Sequence, residues 1–485
     1  MMGQAREFPF GKPARRVPSI GGHTLLFILA ACSWPLLARH AHAETLTDAL
    51  SEAYLTNPQL NAQRASTRSV DENLPMARGT LLPTVNLLGN YAVLQQNLLT
   101  SAFKSYTLTQ PAGAGLLVNL NVFNGFRGLN GIDQAKAQIF QSRQILRNAE
   151  NIVLANAAAA YLNVLHDAAV YKLRDNFVRA VANQVATTKG RFLGGEVTKT
   201  DIFQAESYLA RGKLDRSTST VNLQSSISAY SQLIGRSPNR LTAVGSPDRM
   251  LPQNVGAAVQ LALTDHPAAL AARYNVDIIE LAVKIAEGEL APTVNLVGSV
   301  NQNFNYVGYV GAPNERLFQG MVGVQVNVPV YEGGIVYARA RQAKERLGEA
   351  KFLYHQQVNE IKQSVEAAWA AWNESSKLAA SAREQVRSAE SALAGVRQEA
   401  KISLRTTWDI LNAQLTLLSA RIALVDAQRN RILSGFGLLA SMGQLSAEKL
   451  ALDVPVYDAT THYEQVKDQW FGLEAWNPPA VKQAE

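Results

Sequence analysis

The most constraining feature of this sequence is an internal duplication that covers most of its 485 residues. When the sequence is shifted by about 209 residues, Leu-Leu-Pro-Thr-Val-Asn-Leu at 81–87 aligns with Leu-Ala-Pro-Thr-Val-Asn-Leu at 290–296. Such self-similarity indicates that one structural unit occurs twice. We therefore predict one repeat at 44–240 and a second at 253–450, joined by a seam rich in proline and glycine. The segment 451–485 has no counterpart and is predicted to be an irregular tail.

Each half contains a long stretch without proline. None occurs between Pro111 and Pro238 or between Pro329 and Pro455, about 125 residues in each case. Proline inside a helix costs about 3 kcal/mol, so these stretches are compatible with very long helices. Their apolar residues follow a sustained 3/4 spacing, which is typical of coiled-coil packing. Turn-forming residues near 190–198 and 400–406 predict a helical hairpin in each half, although an ordinary bundle or a dimeric coiled coil would show the same spacing.

Each half also contains two segments with strict alternation. Between 294 and 306, apolar residues alternate with Asn, Ser and Val, and between 322 and 330 valines alternate with Gly, Gln, Asn and Pro. The first half repeats the pattern at 85–93 and 116–122. Segments of this length with one apolar face and one amide-rich face are typical of transmembrane β-strands. A soluble antiparallel sheet with one wet face is the plainer interpretation.

Four strands cannot form a closed barrel. Inside a membrane every backbone N–H and C=O must be paired, so an open sheet edge is not tolerated. The smallest barrels have about eight strands. If these strands cross a membrane, the chain must therefore share a barrel with other copies: two copies give eight strands, and three give twelve with room for water.

The N-terminus has the pattern of an export signal. Arg15 and Arg16 precede an apolar run at 25–31, and Ala41-His42-Ala43 provides a signal-peptidase site before Glu44. We predict a signal peptide at 1–43. Leu-Ala-Ala-Cys at 29–32 also resembles a lipobox, which would leave a lipidated Cys32, and an uncleaved anchor is a third interpretation.

Composition excludes several functional classes. The apolar fraction of 47% excludes a disordered chain, and a single cysteine excludes a disulfide scaffold. The net charge is +7, and more than half of it lies in the predicted leader, so nucleic acid is not an expected partner. No H-E-x-x-H, G-x-S-x-G, P-loop or G-x-G-x-x-G motif is present. We expect no catalytic residue, no metal site and no cofactor.

The sequence resembles the TolC family of outer-membrane exit ducts. The resemblance is carried by the duplicated Pro-Thr-Val-Asn-Leu segment, by Phe-Asn-Gly at 123–125 and Tyr-Glu-Gly-Gly at 331–334, and by the hairpin turns at 195–202 and 405–411. It implies a homotrimer in which twelve strands form one transmembrane β-barrel and the long helical hairpins form an α-barrel through the periplasm. It also implies export of drugs or proteins in a tripartite efflux pump or type I secretion system, with a periplasmic adaptor, an inner-membrane RND or ABC transporter and outer-membrane lipid as partners.

The same resemblance implies a gate at the periplasmic tip. By motif match, Asp409 corresponds to an aspartate that forms an acidic ring, and the second acidic position is Asn412 here. Arg405 matches a linking arginine whose partners correspond to Thr200 and Asp201. A linking tyrosine of the family falls at Ala400, which predicts a more easily opened tip. The implied adaptor-docking turns contain Gly195, Val197, Ser403 and Leu404.

Physical chemistry supports this gate but leaves an alternative. Three aspartates around a narrow axis would favour cations and raise one another's pKa. Exposed ion pairs contribute only about 0–1 kcal/mol, so a gate closed by such pairs opens with modest energy. The plainer interpretation is that Asp201 and Asp409 cap helices. A soluble periplasmic coiled-coil adaptor or scaffold is the alternative for the whole chain, and an autonomous porin is weaker because so much of the sequence is helical.

Overall fold

The computed structural model describes residues 43–99, 104–306 and 315–473. The predicted leader and Cys32 therefore lie outside the described residues, apart from Ala43. The first repeat contains the helices and strands α1 (Leu46–Thr56), α2 (Pro58–Asp71), α3 (Asn73–Gly79), β1 (Thr84–Tyr91), β2 (Leu94–Leu99), β3 (Lys104–Thr109), β4 (Ala112–Phe123), α4 (Arg127–Leu193) and α5 (Lys199–Ile234).

The second repeat follows the same plan. Its elements are α6 (Val255–Asp265), α7 (Pro267–Gly288), β5 (Thr293–Tyr306), β6 (Glu315–Asn327), α8 (Ile335–Lys401) and α9 (Thr407–Ser441). A short 3-10 helix, Asp248–Met250, lies in the seam between the repeats. Both halves thus run from short helices through strands into a long helical hairpin, as the duplication predicts.

The strands of the two repeats form one sheet. The order is β1-β4-β5-β6, and each neighbouring pair is antiparallel. The repeats meet at the β4–β5 pair, where Val118 lies opposite Gly298. The predicted combination of long hairpins with four amphipathic strands is therefore confirmed. The first repeat differs from the second in one respect. It contains two additional strands, β2 and β3, which pair with each other in a separate two-stranded sheet.

The long hairpins are continuous helices. α4 and α8 each have 67 residues, which corresponds to about 100 Å at 1.5 Å per residue. Away from the main core, Val181 of α4, Ala205 of α5 and Leu411 of α9 pack in one cluster. α4 and α9 each hold an 18-residue window apolar enough to cross a membrane by length and composition. Packing between helices accounts for part of this composition, since 44% of the α4 window and 33% of the α9 window are buried within the chain.

The main core lies where the short helices, the seam and the hairpins meet. Tyr161 of α4 and Tyr230 of α5 are fully buried there, together with Leu438 of α9. The Tyr161 hydroxyl lies 2.8 Å from the backbone oxygens of Glu44 and Thr242 and can donate its single proton to either. Tyr230 donates to the Glu44 carboxylate at 2.5 Å. These bonds attach the first residue after the predicted leader to the seam.

The prediction of an irregular C-terminal tail is wrong for one segment. Residues Thr460–Val466 form a short helix, α10, that packs on α2. Its His462 Nδ1 lies 3.0 Å from Asp71 Oδ2, and burial raises the pKa of Asp71. Tyr463 lies under the guanidinium of Arg143, with 5.1 Å between the guanidinium carbon and the ring centroid. The tail therefore belongs to the folded core region.

Equivalent positions in the two repeats cap equivalent helices with different chemistry. Asn57 accepts hydrogen bonds from the backbone N–H groups of Gln59 and Leu60 at the start of α2. At the same position of the second repeat, His266 Nδ1 accepts from the Ala268 N–H at 3.1 Å. This bond requires an unprotonated Nδ1, and burial lowers the pKa of His266 below its ordinary 6.5.

We expect His266→Asn to reduce the loss of thermal stability in mild acid. Because the folded-state pKa of His266 is lowered, its contribution is complete above about pH 6.5 and falls as the pH drops below that value. Asparagine keeps a cap acceptor without titrating. The check is the melting temperature from pH 8 to 5, with the exposed His355→Asn as control. An unchanged acid slope in His266→Asn would contradict the assignment.

Candidate functional site: the sheet and the helical tip

The sheet carries one apolar face. The register places Val85, Val118, Gly298 and Val322 in one row across the four strands. Leu87, Leu116 and Val300 form the next apolar row, and Val322 is 83% exposed. A continuous, exposed apolar surface of this kind marks a contact with lipid or with another chain. The alternation predicted from the sequence is thus carried in register across the sheet.

The opposite face is rich in amides. Asn121 Nδ2 donates to Asn295 Oδ1 at 2.9 Å across the β4–β5 pair. Glycines and some apolar side chains share this face with the amide residues Asn86, Asn90, Asn119, Asn121, Asn295, Asn301, Asn303, Gln319 and Gln325. Because these groups both donate and accept hydrogen bonds without charge, this face suits a water-filled passage.

Two glycines of β4 make room for these amides. A Cβ atom at Gly113 would come within 2.5 Å of Asn303 Oδ1 and 2.6 Å of Asn90 Oδ1. Gly115 faces Asn301 in the same way. The glycines therefore let amide side chains from both neighbouring strands lie across β4. Our sequence reasoning missed them, although the run Ala-Gly-Ala-Gly at 112–115 was a visible signal.

Charge is almost absent from the sheet. Among the residues of β1, β4, β5 and β6, only Glu315 and Arg316, at the start of β6, are charged. The Arg316 guanidinium carbon lies 5.7 Å from the centroid of the Phe304 ring. The amide face therefore has little means of selecting ions by charge, and any such selection must come from the helical part.

The two hairpin turns close with matching caps. Thr198 and Thr406 are the N-caps of α5 and α9, and each forms a reciprocal capping box with the aspartate three residues later. Asp201 Oδ2 accepts from the Thr198 N–H at 2.8 Å, and Asp409 Oδ2 accepts from the Thr406 N–H at 2.9 Å. The capping role of both aspartates is therefore present in a single chain, and the Thr-x-x-Asp spacing signals it.

The carboxylate of Asp409 is held in its ionised form. The backbone N–H and the hydroxyl of Thr406 donate to it, and these bonds keep the pKa of Asp409 below its ordinary value, with a smaller contribution from Arg405. The mutual repulsion expected of a ring would act in the opposite direction. Asn412 lies one turn further along α9 and is exposed.

Within one chain, Arg405 pairs with a residue of its own turn. Its Nε donates to Glu399 Oε2 at 2.7 Å, which closes the α8–α9 turn on itself. In the α4–α5 turn Arg191 pairs with Glu196 at 2.9 Å. Within the chain the structure therefore does not join Arg405 to Thr200 or Asp201, and a link to another copy stays a prediction.

The predicted docking turns lie at the hairpin tips. Gly195 and Ser403 adopt φ values of 72° and 60°, the left-handed conformation that reverses the chain after α4 and α8. Leu404 is 71% exposed, whereas Val197 is half-buried. Ala400 is buried at the end of α8, so no side chain there reaches another hairpin.

The family is decided by comparison with known proteins. A model of the family described as outer membrane efflux protein matches residues 49–236 and 258–444, one match in each repeat. The chain belongs to the outer membrane efflux protein family. The resemblance to the TolC family is thereby confirmed, and the protein is an outer-membrane channel rather than an enzyme.

Related sequences span nearly the whole protein. The outer membrane efflux protein BepC of Brucella suis is 34% identical over 439 residues, covering 90% of this chain and 94% of BepC. The outer membrane protein TolC of Escherichia coli is 25% identical over 460 residues, covering 92% of each. The family's fold is also seen in the Campylobacter jejuni CmeC outer membrane channel, with a TM-score of 0.74, 14% identity, and coverage of 87% of this chain and 89% of CmeC.

These findings support the outer-membrane interpretation over the alternatives. They do not support the soluble adaptor or scaffold. Among the residues that the structure describes, no group of three or more His, Cys, Asp or Glu side chains could hold a metal ion. The functional features of this efflux-family chain are therefore its two-faced sheet and its hairpin tips.

Proposed function

We propose that three copies of the chain form an exit duct across the outer membrane and the periplasm. The observation that carries the proposal is the four-stranded sheet with an exposed apolar face and two edge strands, β1 and β6. In lipid these edges need partners, and pairing β6 of one copy with β1 of the next supplies them. Three copies give a barrel of about twelve strands.

The amide face favours three copies over two. A barrel of about eight strands is filled by its own side chains, whereas the amide rows need a wider, water-filled lumen. The helical part offers matching flanks. α5 packs on α4 and α8 packs on α9, and their free sides expose apolar residues that a neighbouring copy would cover: Leu214 and Val221 on α5, and Phe352 and Leu378 on α8.

The tips are the proposed docking points for the rest of the export machinery. The turns with Gly195, Val197, Ser403 and Leu404 would contact a periplasmic adaptor, and an inner-membrane RND or ABC transporter would deliver drugs or proteins. The exposure of Leu404 and the name of BepC, an outer membrane efflux protein, support this assignment. Relatives with such names are channels for export, so cargo would move outward.

The proposed gate places three copies of Asp409 around the axis of the tip, with Asn412 one helical turn further along α9. Their negative charge would favour cations. Selectivity would depend on this ring, because the sheet has almost no charged residues. Asp201, Thr200 and Arg405 would line or link the same region between copies. Since Asp409 also caps α9, a change to alanine would alter both charge and helix end.

We expect the purified protein to conduct cations in preference to anions in a planar bilayer, and Asp409→Asn to weaken that preference. Asparagine removes the charge but keeps an oxygen acceptor for the cap. Thr406→Ala is the matched control, because it removes the cap, at about 0.5–2 kcal/mol of stability, but keeps the carboxylate. Reversal potentials in a salt gradient measure the effect. Absence of conductance would contradict the duct, and an equal loss of selectivity in Thr406→Ala would contradict the ring.

A further inference from the structure

A cavity of about 440 Å³ lies between the two hairpins and the seam. We call it the seam pocket. Its walls are mostly apolar and come from four parts of the chain: Leu162 and Leu165 of α4, Ala379 of α8, Val425 and Ile432 of α9, and Val244 of the seam. Its volume falls within the range of about 300–1,000 Å³ that is usual for small-molecule sites.

The rim of the seam pocket is basic. Arg383 of α8 and Arg429 and Arg431 of α9 line it, together with His166 of α4. Arg429 donates to the neutral amide oxygens of Asn163 and Asn430. Arg383 has no hydrogen bond or ion pair within the described part of the chain.

The nearby carboxylates leave two arginines without a counter-charge. Asp248 is occupied by Arg431, whose Nη2 lies 2.9 Å from Oδ2, and by the hydroxyl of Ser246. Asp426 Oδ1 lies 2.5 Å from His166 Nε2, and Asp167 Oδ1 lies 2.8 Å from His166 Nδ1. The charges of Arg383 and Arg429 are therefore not balanced by a contacting carboxylate, and the pocket mouth favours an anion.

We propose that the seam pocket binds an amphipathic monoanion with a single alkyl chain and a carboxylate head. The planar guanidinium of Arg383 can pair with a carboxylate through two parallel hydrogen bonds. The apolar walls would cover the chain, and each buried methylene strengthens binding about fourfold. Neither the amide sheet face nor the hairpin tips offer this combination of apolar walls and unpaired arginine.

The lining of the site is complete in one chain and contains no residue of the proposed gate. Its lining residues come from α4, α8, α9 and the seam, and none of them is among the α5 and α8 residues that are proposed to be covered by the next copy. Because α4 belongs to the first hairpin and α8 and α9 to the second, an occupant would contact both hairpins. Binding would therefore favour the present spacing between them.

The test is calorimetric titration of the purified full-length protein in amphipol with dodecanoate. We expect saturable binding of one dodecanoate per chain, weakened at least tenfold by Arg383→Gln. Arg387→Gln is the matched control: it lies one turn further along α8, pairs with Glu384 and does not line the pocket, so binding should be unchanged. Partition into the amphipol is the same for all variants and cancels in the comparison.

Two further probes separate the proposal from non-specific uptake. Ala169→Phe places a ring in the pocket and should abolish the saturable component. Dodecan-1-ol has the same chain without the charge and should bind equally weakly to the parent protein and to Arg383→Gln. Equal dodecanoate binding by the parent and Arg383→Gln, or by the parent and Ala169→Phe, would overturn the proposal.

Discussion

Val300→Arg is expected to prevent assembly in the outer membrane, whereas Asn301→Arg, one residue along the same strand, is expected to permit it. Val300 lies near the middle of β5 on the exposed apolar face, in a row with Leu87 and Leu116. Arginine on a lipid-facing position near the bilayer centre costs about 2–4 kcal/mol per copy. In a trimer this penalty applies three times.

Asn301→Arg is the matched control because it introduces the same side chain at the adjacent position of the same strand, on the opposite face of the sheet. Asn301 lies opposite Gly115 on β4 and Gln319 on β6, so a longer side chain there enters the proposed lumen. Three added positive charges should shift ion selectivity toward anions without blocking insertion. The measurements are heat-resistant oligomer in the outer-membrane fraction and reversal potential in bilayers. If both variants assemble equally well, the apolar face does not meet lipid.

The faces of the strands could be predicted because a period of two needs no knowledge of distant contacts. The break between β3 and β4 could not. Pro111 has no N–H to donate to the ladder, and the Ala92 N–H instead reaches the Pro111 oxygen at 2.9 Å. Pro111 indicates an interruption of the strand. The sequence does not say whether the chain beyond that interruption forms a second sheet, as β2 and β3 do, or ends the hairpin.

The tip shows the same division between local and non-local information. The capping boxes at Thr198 and Thr406 depend on residues three apart and follow from the spacing. The partner of Arg405 depends on how the chain reverses at Ser403, which brings Glu399 within 2.7 Å of its Nε. The motif match to the family predicts Thr200 and Asp201 as partners of Arg405, and for contacts between copies this link stays a prediction.

The tail was misjudged for a related reason. α10 has seven residues, too few to show a helical period, and its sequence has no repeat partner. Its position depends on contacts with residues almost 400 positions earlier, such as the hydrogen bond of 3.0 Å between His462 Nδ1 and Asp71 Oδ2. Pairings at that separation cannot be derived from local pattern alone.

Glu44→Ala is expected to destabilise the region where the N-terminus meets the seam by about 3 kcal/mol. The Glu44 side chain is only 5% exposed. Its carboxylate accepts from the Tyr230 hydroxyl at 2.5 Å, from Arg236 at 2.9 Å and from the Asn239 N–H at 3.1 Å. Alanine would leave the buried tyrosine hydroxyl without an acceptor, while the half-exposed Arg236 could still reach water.

The Tyr230 hydroxyl is a reliable donor in this arrangement. Burial raises the pKa of Tyr230 far above its ordinary value, and the hydrogen bond to the Glu44 carboxylate and its charge raise the pKa further. The tyrosine therefore stays protonated across the pH range in which the protein is studied. A double-mutant cycle with Tyr230→Phe can then isolate this one contact, because the phenyl ring preserves the packing.

The measurements are the melting temperature and the exchange rate of the Thr242 amide hydrogen, which is bonded to the Glu44 backbone oxygen at 3.0 Å. We expect faster exchange and a lower melting temperature in Glu44→Ala, a smaller effect in Glu44→Gln, and a double variant less damaged than the sum of its parts. Glu52→Ala on α1 is the control, since its half-exposed side chain should change stability by no more than about 0.5 kcal/mol. Equal effects of Glu44→Ala and Glu52→Ala would show that Glu44 does not anchor the seam.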